Sequence, residues 1–129
     1  MSINPKTPGF HHISLRCKDM DLTKKFYQST LGLKLVYESP TLNAFSIGSV
    51  MLGIRKAEIK YESEVFNPMT IGLDHLAIAC ETEEELNRVA KGLNDAGVEN
   101  TGVKRDETLQ KLYVAFKDPD RIQWEFYMI

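Results

Sequence analysis

Cysteine is scarce. Cys17 and Cys80 are the only two in the 129 residues, and no C-x-x-C pair occurs, which excludes a disulfide-stapled fold. Each lies in an apolar, strand-like run, so both are expected to be buried free thiols acting as small hydrophobes. Neither sign of charge is in excess: Lys plus Arg is 16 and Asp plus Glu is 18, a net charge of −2. Without a basic surplus to neutralise phosphates, nucleic acid is excluded as an expected partner. No apolar run approaches the roughly 20 residues needed to span a bilayer, so no membrane association is expected. The segment from Met1 to Phe10 holds Asn4, Pro5, Lys6 and Pro8 and lacks the apolar centre of a secretory signal, so a cytoplasmic location is expected. Disorder is excluded by 43% hydrophobic and 26% charged residues, a globular balance. The length suits one domain, or two small halves sharing a core, without metal or disulfide staples.

What the chain does have is a hidden repeat. Phe10-His11-His12-Ile13-Ser14-Leu15-Arg16-Cys17 lays over Leu73-Asp74-His75-Leu76-Ala77-Ile78-Ala79-Cys80 with an offset of 63. His12 falls on His75 and Cys17 on Cys80, with apolar residues matched at three further positions. Two units follow, near 9–57 and 72–129, joined by a connector at 58–71 that holds Pro68 and mixed charges. Each reads as strand, helix, then three strands, an α+β pattern of two tandem βαβββ modules. In the first, Asp19 or Asp21 caps a helix with Leu22 and Phe26 facing inward, and Gly32 ends it. Gly48-Ser49 then turns a hairpin between Leu42–Ile47 and Val50–Lys56. In the second, Thr82 with Glu85 forms a capping box, and Leu86, Val89, Ala90 and Leu93 make an apolar helical stripe closed by Gly97. Strands are expected near Glu99–Arg105, Lys111–Lys117 and Ile122–Met128. The last two are separated by the turn Asp118-Pro119-Asp120-Arg121.

Strand alternation sorts the side chains by face. Ile13, Leu15 and Cys17 share the face that packs on the helix, which leaves His12, Ser14 and Arg16 on the other. Leu76, Ile78 and Cys80 likewise leave His75, Ala77 and Ala79 on the free face. In the last strand Trp124, Phe126 and Met128 share one face, while Gln123, Glu125 and Tyr127 share the opposite one. Glu125 is thus a carboxylate within an apolar strand, where a charge is rarely buried without a partner. Two imidazoles and a carboxylate on free faces suit a divalent cation such as Fe, Mn, Zn, Ni or Co, with coordination positions left open for water or substrate. The ordinary alternatives are satisfied polar histidines and an edge glutamate that discourages aggregation. By the same alternation His11 falls on the opposite face from His12 and has no assigned role.

The stretch His11 to Asp19, with Phe26-Tyr27 and Leu31-Gly32-Leu33, resembles the opening of the vicinal-oxygen-chelate superfamily. That group includes glyoxalase I, extradiol dioxygenases, fosfomycin-modifying thiol transferases and bleomycin-binding proteins. The ending Asp118-Pro119-Asp120-Arg121-Ile122-Gln123-Trp124-Glu125-Phe126 resembles its closing D-P-D-G-x-x-x-E-F pattern, with Arg121 in place of the usual glycine. The resemblance implies curved mixed sheets around a cavity, commonly in a homodimer, and one divalent metal ion per site. It matches His12, His75 and Glu125 to metal ligands. It places a fourth ligand of glyoxalase I on the strand Val50–Arg55, at Gly53, where no carboxylate exists. The resemblance therefore favours a metal-dependent enzyme of the dioxygenase or thiol-transferase kind, acting on a small substrate chelated through adjacent oxygens, over true glyoxalase I. Arg16 and Arg55 are candidates to bind an anionic substrate group, or are solvent-exposed charges at sheet ends. Tyr127, with Gln123, is a candidate to line the cavity or orient Glu125. Tyr113 and Tyr37 are weaker candidates for a hydroxyl donor. A binding protein that sequesters a drug or metabolite without chemistry is the competing function, and a metal-free interaction module a third.

Overall fold

The computed structural model describes residues 1–129 as two units, Met1–Glu62 and Ser63–Ile129. The first unit contains β1 (His12–Cys17), α1 (Met20–Lys25), β2 (Lys34–Glu38), β3 (Asn43–Ile47) and β4 (Val50–Lys56). These strands form one mixed sheet in the order β1-β4-β3-β2, with β1 parallel to β4 and the other pairs antiparallel. The second unit repeats the scheme with β5 (Leu76–Cys80), α2 (Glu83–Asp95), β6 (Lys104–Arg105), β7 (Leu112–Lys117) and β8 (Gln123–Met128). Its sheet runs β5-β8-β7-β6, again with only the first pair parallel. This is the expected α+β architecture of two tandem βαβββ modules.

Local chemistry accounts for most element boundaries. Asp19 caps α1, its carboxylate accepting from the backbone N–H groups of Asp21 and Leu22. Thr82 caps α2 by accepting from Glu85 N–H at 3.1 Å. The Glu85 side chain does not complete the expected capping box; it is held by Arg88 at 2.6 and 2.7 Å. Gly48 turns the β3–β4 hairpin at φ +55°. The expectation that Leu22 faces inward fails, since Leu22 is 53% exposed. After Lys25 the helix widens into a π-helical turn, Phe26–Thr30. The buried residues of this segment are Thr23, Phe26 and Tyr27. The expected strand Glu99–Arg105 shrinks to β6, preceded by a single bridge between Asn100 and Phe116.

Each sheet buries one face against its own helix. In the first unit Leu15, Cys17, Phe45, Leu52 and Ile54 are buried with Tyr27, whose ring lies 5.8 Å from that of Phe45. In the second Leu86, Ala90 and Leu93 of α2 are buried with Val114, Phe116 and Trp124. Phe116 stacks between Trp124 at 6.5 Å and Phe126 at 5.3 Å. Cys17 and Cys80 are buried thiols outside any disulfide, as expected. The opposite faces stay open: His12, Ser14 and Arg16 on β1, and His75, Ala77 and Ala79 at β5, are exposed. No helix is long and apolar enough to cross a membrane.

Candidate metal centre

Within the second unit the structure brings His75 and Glu125 together. β5 lies parallel to β8, and Ala77 stands opposite Glu125. His75, just ahead of β5, reaches the same carboxylate. Its Nε2 lies 3.4 Å from Glu125 Oε2, and its Nδ1 lies 2.6 Å from Asp74 Oδ1. An ionised carboxylate only accepts, so Asp74 fixes the His75 proton on Nδ1. In the neutral imidazole the Nε2 lone pair then faces Glu125, setting two acceptors against each other with no proton between them. A cation resolves that arrangement. Nitrogen and oxygen ligands each about 2.1 Å from one metal, at an angle of about 90 to 110°, stand roughly 3.0 to 3.4 Å apart. The pair and its carboxylate-backed imidazole thus fit a divalent metal.

Electrostatics at Glu125 point the same way. The residue is 9% exposed. Burial pushes its carboxyl above the ordinary value, His75 in its charged form pulls it back, and the charges of Asp106 and Asp74 raise it further. It lines a cavity of about 230 Å³ in this unit together with Asn100, Thr101, Tyr113, Lys117 and Gln123. Tyr127, on the same face, is engaged elsewhere. Its hydroxyl donates to Asp106 at 2.7 Å and its ring stacks on Tyr113 at 6.0 Å. Burial and the Asp106 carboxylate push the phenol up to about 12, and the hydrogen bond holds Asp106 below its usual range.

The first unit carries the other expected residues. His12 opens β1, and its Nδ1 lies 2.8 Å from His11 Nδ1. Arg16 pairs in register with Arg55 across β1 and β4, both exposed, and Arg16 donates to the Lys56 carbonyl at 2.9 Å. Two cations abreast on the free face form a positive patch two strands wide. Ser14 stands opposite Gly53, as Ala77 stands opposite Glu125. Ser14 and Ala77 are repeat equivalents at the offset of 63, so Gly53 occupies the position of the missing carboxylate. A Cβ at Gly53 would meet Ser14 Oγ at 3.1 Å and Leu42 Cδ1 at 3.3 Å, so that position is already partly filled. No three His, Cys, Asp or Glu side chains of the chain gather around a metal position.

Sequence reasoning gave His11 no role and did not single out Asp74 or Asp106. The repeat could have flagged two of them, because His11 and Asp74 occupy equivalent positions ahead of the two candidate ligands.

A family model described as the Glyoxalase/Bleomycin resistance protein/Dioxygenase superfamily matches residues 9–126. The chain belongs to that superfamily. It is 28% identical over 126 residues to the uncharacterized protein YwkD of Bacillus subtilis (strain 168), covering 92% of this chain and 95% of that one. Among solved structures, a lactoylglutathione lyase from Agrobacterium tumefaciens superposes with a TM-score of 0.77 at 19% identity, with 96% of each chain covered. The fosfomycin resistance protein FosX from Listeria monocytogenes superposes at 0.75 and 20% identity, covering 96% of this chain and 95% of that one. At these identities the superpositions establish the shared fold.

Proposed function

We propose that the chain is a metal-dependent enzyme that binds a small substrate through adjacent oxygens on a divalent cation. The observation that carries this reading is the His75–Glu125 pair, with its imidazole locked by Asp74 and its carboxylate buried against an acceptor. His75 and Glu125 would hold the ion, His12 is the third expected donor, and a homodimer is the expected assembly. This set of imidazole and carboxylate suits Fe, Mn, Zn, Ni or Co, and leaves positions open for substrate. When bound, the metal polarises the substrate oxygens and stabilises negative charge that develops on them.

The remaining roles fall to the chain's own residues. Asp74 keeps the His75 proton on Nδ1. Arg16 and Arg55 attract an anionic group of the substrate. The cavity beside Glu125 is small and offers Lys117 and Gln123 as donors, which favours a compact, oxygen-rich molecule. Tyr127, donating to Asp106, presents only its lone pairs and acts as a fixed acceptor rather than a proton source. Gly53 supplies no carboxylate to move a proton across the substrate, which argues against isomerisation of the glyoxalase I kind. Ring cleavage with dioxygen, or thiol addition to an epoxide, needs no such base. Sequestration of a drug without chemistry is disfavoured because all three donors are retained.

The test is metal analysis of protein purified without a histidine tag. About one equivalent of transition metal, lost in His75→Ala, supports the reading; none at pH 8, where imidazole is neutral, moves the assignment to a binder. Colorimetric assays with catechol, fosfomycin plus thiol, and methylglyoxal plus glutathione then separate the reactions. Turnover is expected with one of the first two substrate sets. Robust turnover of the last would overturn the role given to Gly53.

A further inference from the structure

We propose that His11 and Asp74 are paired positioning residues, each holding the Nδ1 proton of the histidine that follows it so that Nε2 is the atom left free to bind metal. The inference rests on the metal reading above and gives His11 a role that strand alternation denied it.

The repeat supplies the first observation. The offset that lays His12 on His75 lays His11 on Asp74. Geometry supplies the second. In both units the residue ahead of the candidate ligand reaches Nδ1 of that ligand, Asp74 Oδ1 at 2.6 Å and His11 Nδ1 at 2.8 Å. Consecutive residues of a regular strand point to opposite faces. These do not, because neither belongs to the ladder: β1 begins at His12 and β5 at Leu76. His11 is tied there by its carbonyl, which accepts from Met51 N–H at 3.2 Å, and its ring lies edge-on to that of His12 at 5.1 Å between centroids.

Proton accounting assigns the direction at His75, and the metal reading assigns it at His12. A neutral imidazole carries one N–H and one lone pair. Asp74 only accepts, so His75 must donate from Nδ1. Neutral His11 can accept through Nδ1 in the same way, leaving His12 protonated at Nδ1 and bare at Nε2. The opposite assignment, with His11 donating, would place the His12 proton on Nε2 and close that atom to a metal. Such outer partners fix both the tautomer and the ring orientation of a ligand histidine.

The experiment uses metal-free protein with ¹⁵N-labelled histidine at pH 8, where the tautomers of His12 and His75 are read by long-range ¹H–¹⁵N correlation. A parallel titration with Co(II) against a competing chelator measures metal affinity. His11→Phe keeps an edge-on ring but removes the acceptor, while His11→Asp restores an acceptor and copies the second unit. Asp74→Leu and Asp74→Asn form the matching pair. Wild type is expected to show Nδ1–H at both histidines. His11→Phe should release that preference at His12 alone and weaken Co(II) binding about 10- to 100-fold, and His11→Asp should restore both. Asp74→Leu should do the same at His75, with rescue by Asp74→Asn. An Nε2–H tautomer at His12 in wild type, or unchanged tautomers in His11→Phe, would overturn the proposal. So would a loss of Co(II) affinity that His11→Asp fails to rescue, which marks a merely structural contact. Equal Co(II) binding by wild type and His12→Ala would instead overturn the metal reading, and the tautomer spectra alone then decide whether His11 and Asp74 position the rings.

Discussion

Glu125→Gln should make the metal-free protein more stable and the metal-loaded protein less so. The carboxylate is 9% exposed, and its close polar neighbour is His75 Nε2 at 3.4 Å. That nitrogen carries a lone pair while Asp74 holds the proton on Nδ1. A buried group without its hydrogen-bond partner costs about 1 to 3 kcal/mol. Glutamine keeps the shape, removes the charge and offers an N–H to the imidazole, so a gain of about 1 kcal/mol is expected, or about 4 °C in a chain of this size. Burial raises the folded pKa of Glu125 above the ordinary 4.5. The stabilising contribution of its neutral form is therefore complete below about 4.5 and lost as pH rises through the folded value. The advantage of the variant opens over that same window and is full at pH 8. Metal reverses the order: at 100 times its dissociation constant a ligand adds about 2.7 kcal/mol to the native state, or about 10 °C by the same scaling. The variant, lacking one donor, should gain almost none. Calorimetric melts of both proteins in chelator and in excess Co(II) or Mn(II) read the crossing directly. A variant that melts below wild type in chelator, or that retains the full metal increment, would refute this account of Glu125.

The other expectations concern packing and the supports of the site. Tyr127→Phe removes the hydrogen bond to Asp106. Wild type should hold that contribution above the ordinary Asp value of 3.8 and lose it as pH falls through the lowered value, and lose it again as pH climbs from 10 through about 12. The variant should melt lower across the intervening range and show neither drift, as thermal denaturation at stepped pH will show. Phe116→Ala opens a cavity beneath Trp124 and Phe126, where Phe116 is 1% exposed. A loss of about 3 to 5 kcal/mol in urea unfolding followed by tryptophan fluorescence is expected. Arg121 sits at φ +66° and pairs with Glu99 at 3.0 Å on the surface. Arg121→Gly relieves about 1 to 2 kcal/mol of backbone strain and forgoes about 0.5 kcal/mol of exposed ion pair, so a net gain near 1 kcal/mol is expected. A denaturant midpoint below wild type would contradict it.

Much of this protein was legible in its order of residues, because the signals are local. The 63-residue echo, the Asp19 and Thr82 caps, the glycine turns and the two-residue alternation around Leu15 and Trp124 each depend on neighbours a few positions away. They were enough to name two βαβββ units, to place His12, His75 and Glu125 on free faces and to notice that Gly53 lacks a carboxylate. Register then settled which position Gly53 occupies, through Ser14 opposite it and Ala77 opposite Glu125. The inward stripe of the first helix fell on Thr23, Phe26 and Tyr27 without Leu22. The other failures share one cause, a competing contact that local pattern does not register. Glu85 chose Arg88 over the helix end. Tyr127 turned to Asp106 on a loop 21 residues earlier.

The sequence by itself determined which chemical groups are available and which face of its own strand each one takes, since backbone geometry dictates both at short range. Only the tertiary structure decided which atoms meet: His75 Nε2 with Glu125, Asp74 and His11 with the ring nitrogens beside them, Asp106 with Tyr127. Those encounters depend on strand register and on where a ladder begins. Both are set by the packing of segments far apart in the chain, and no local pattern encodes them.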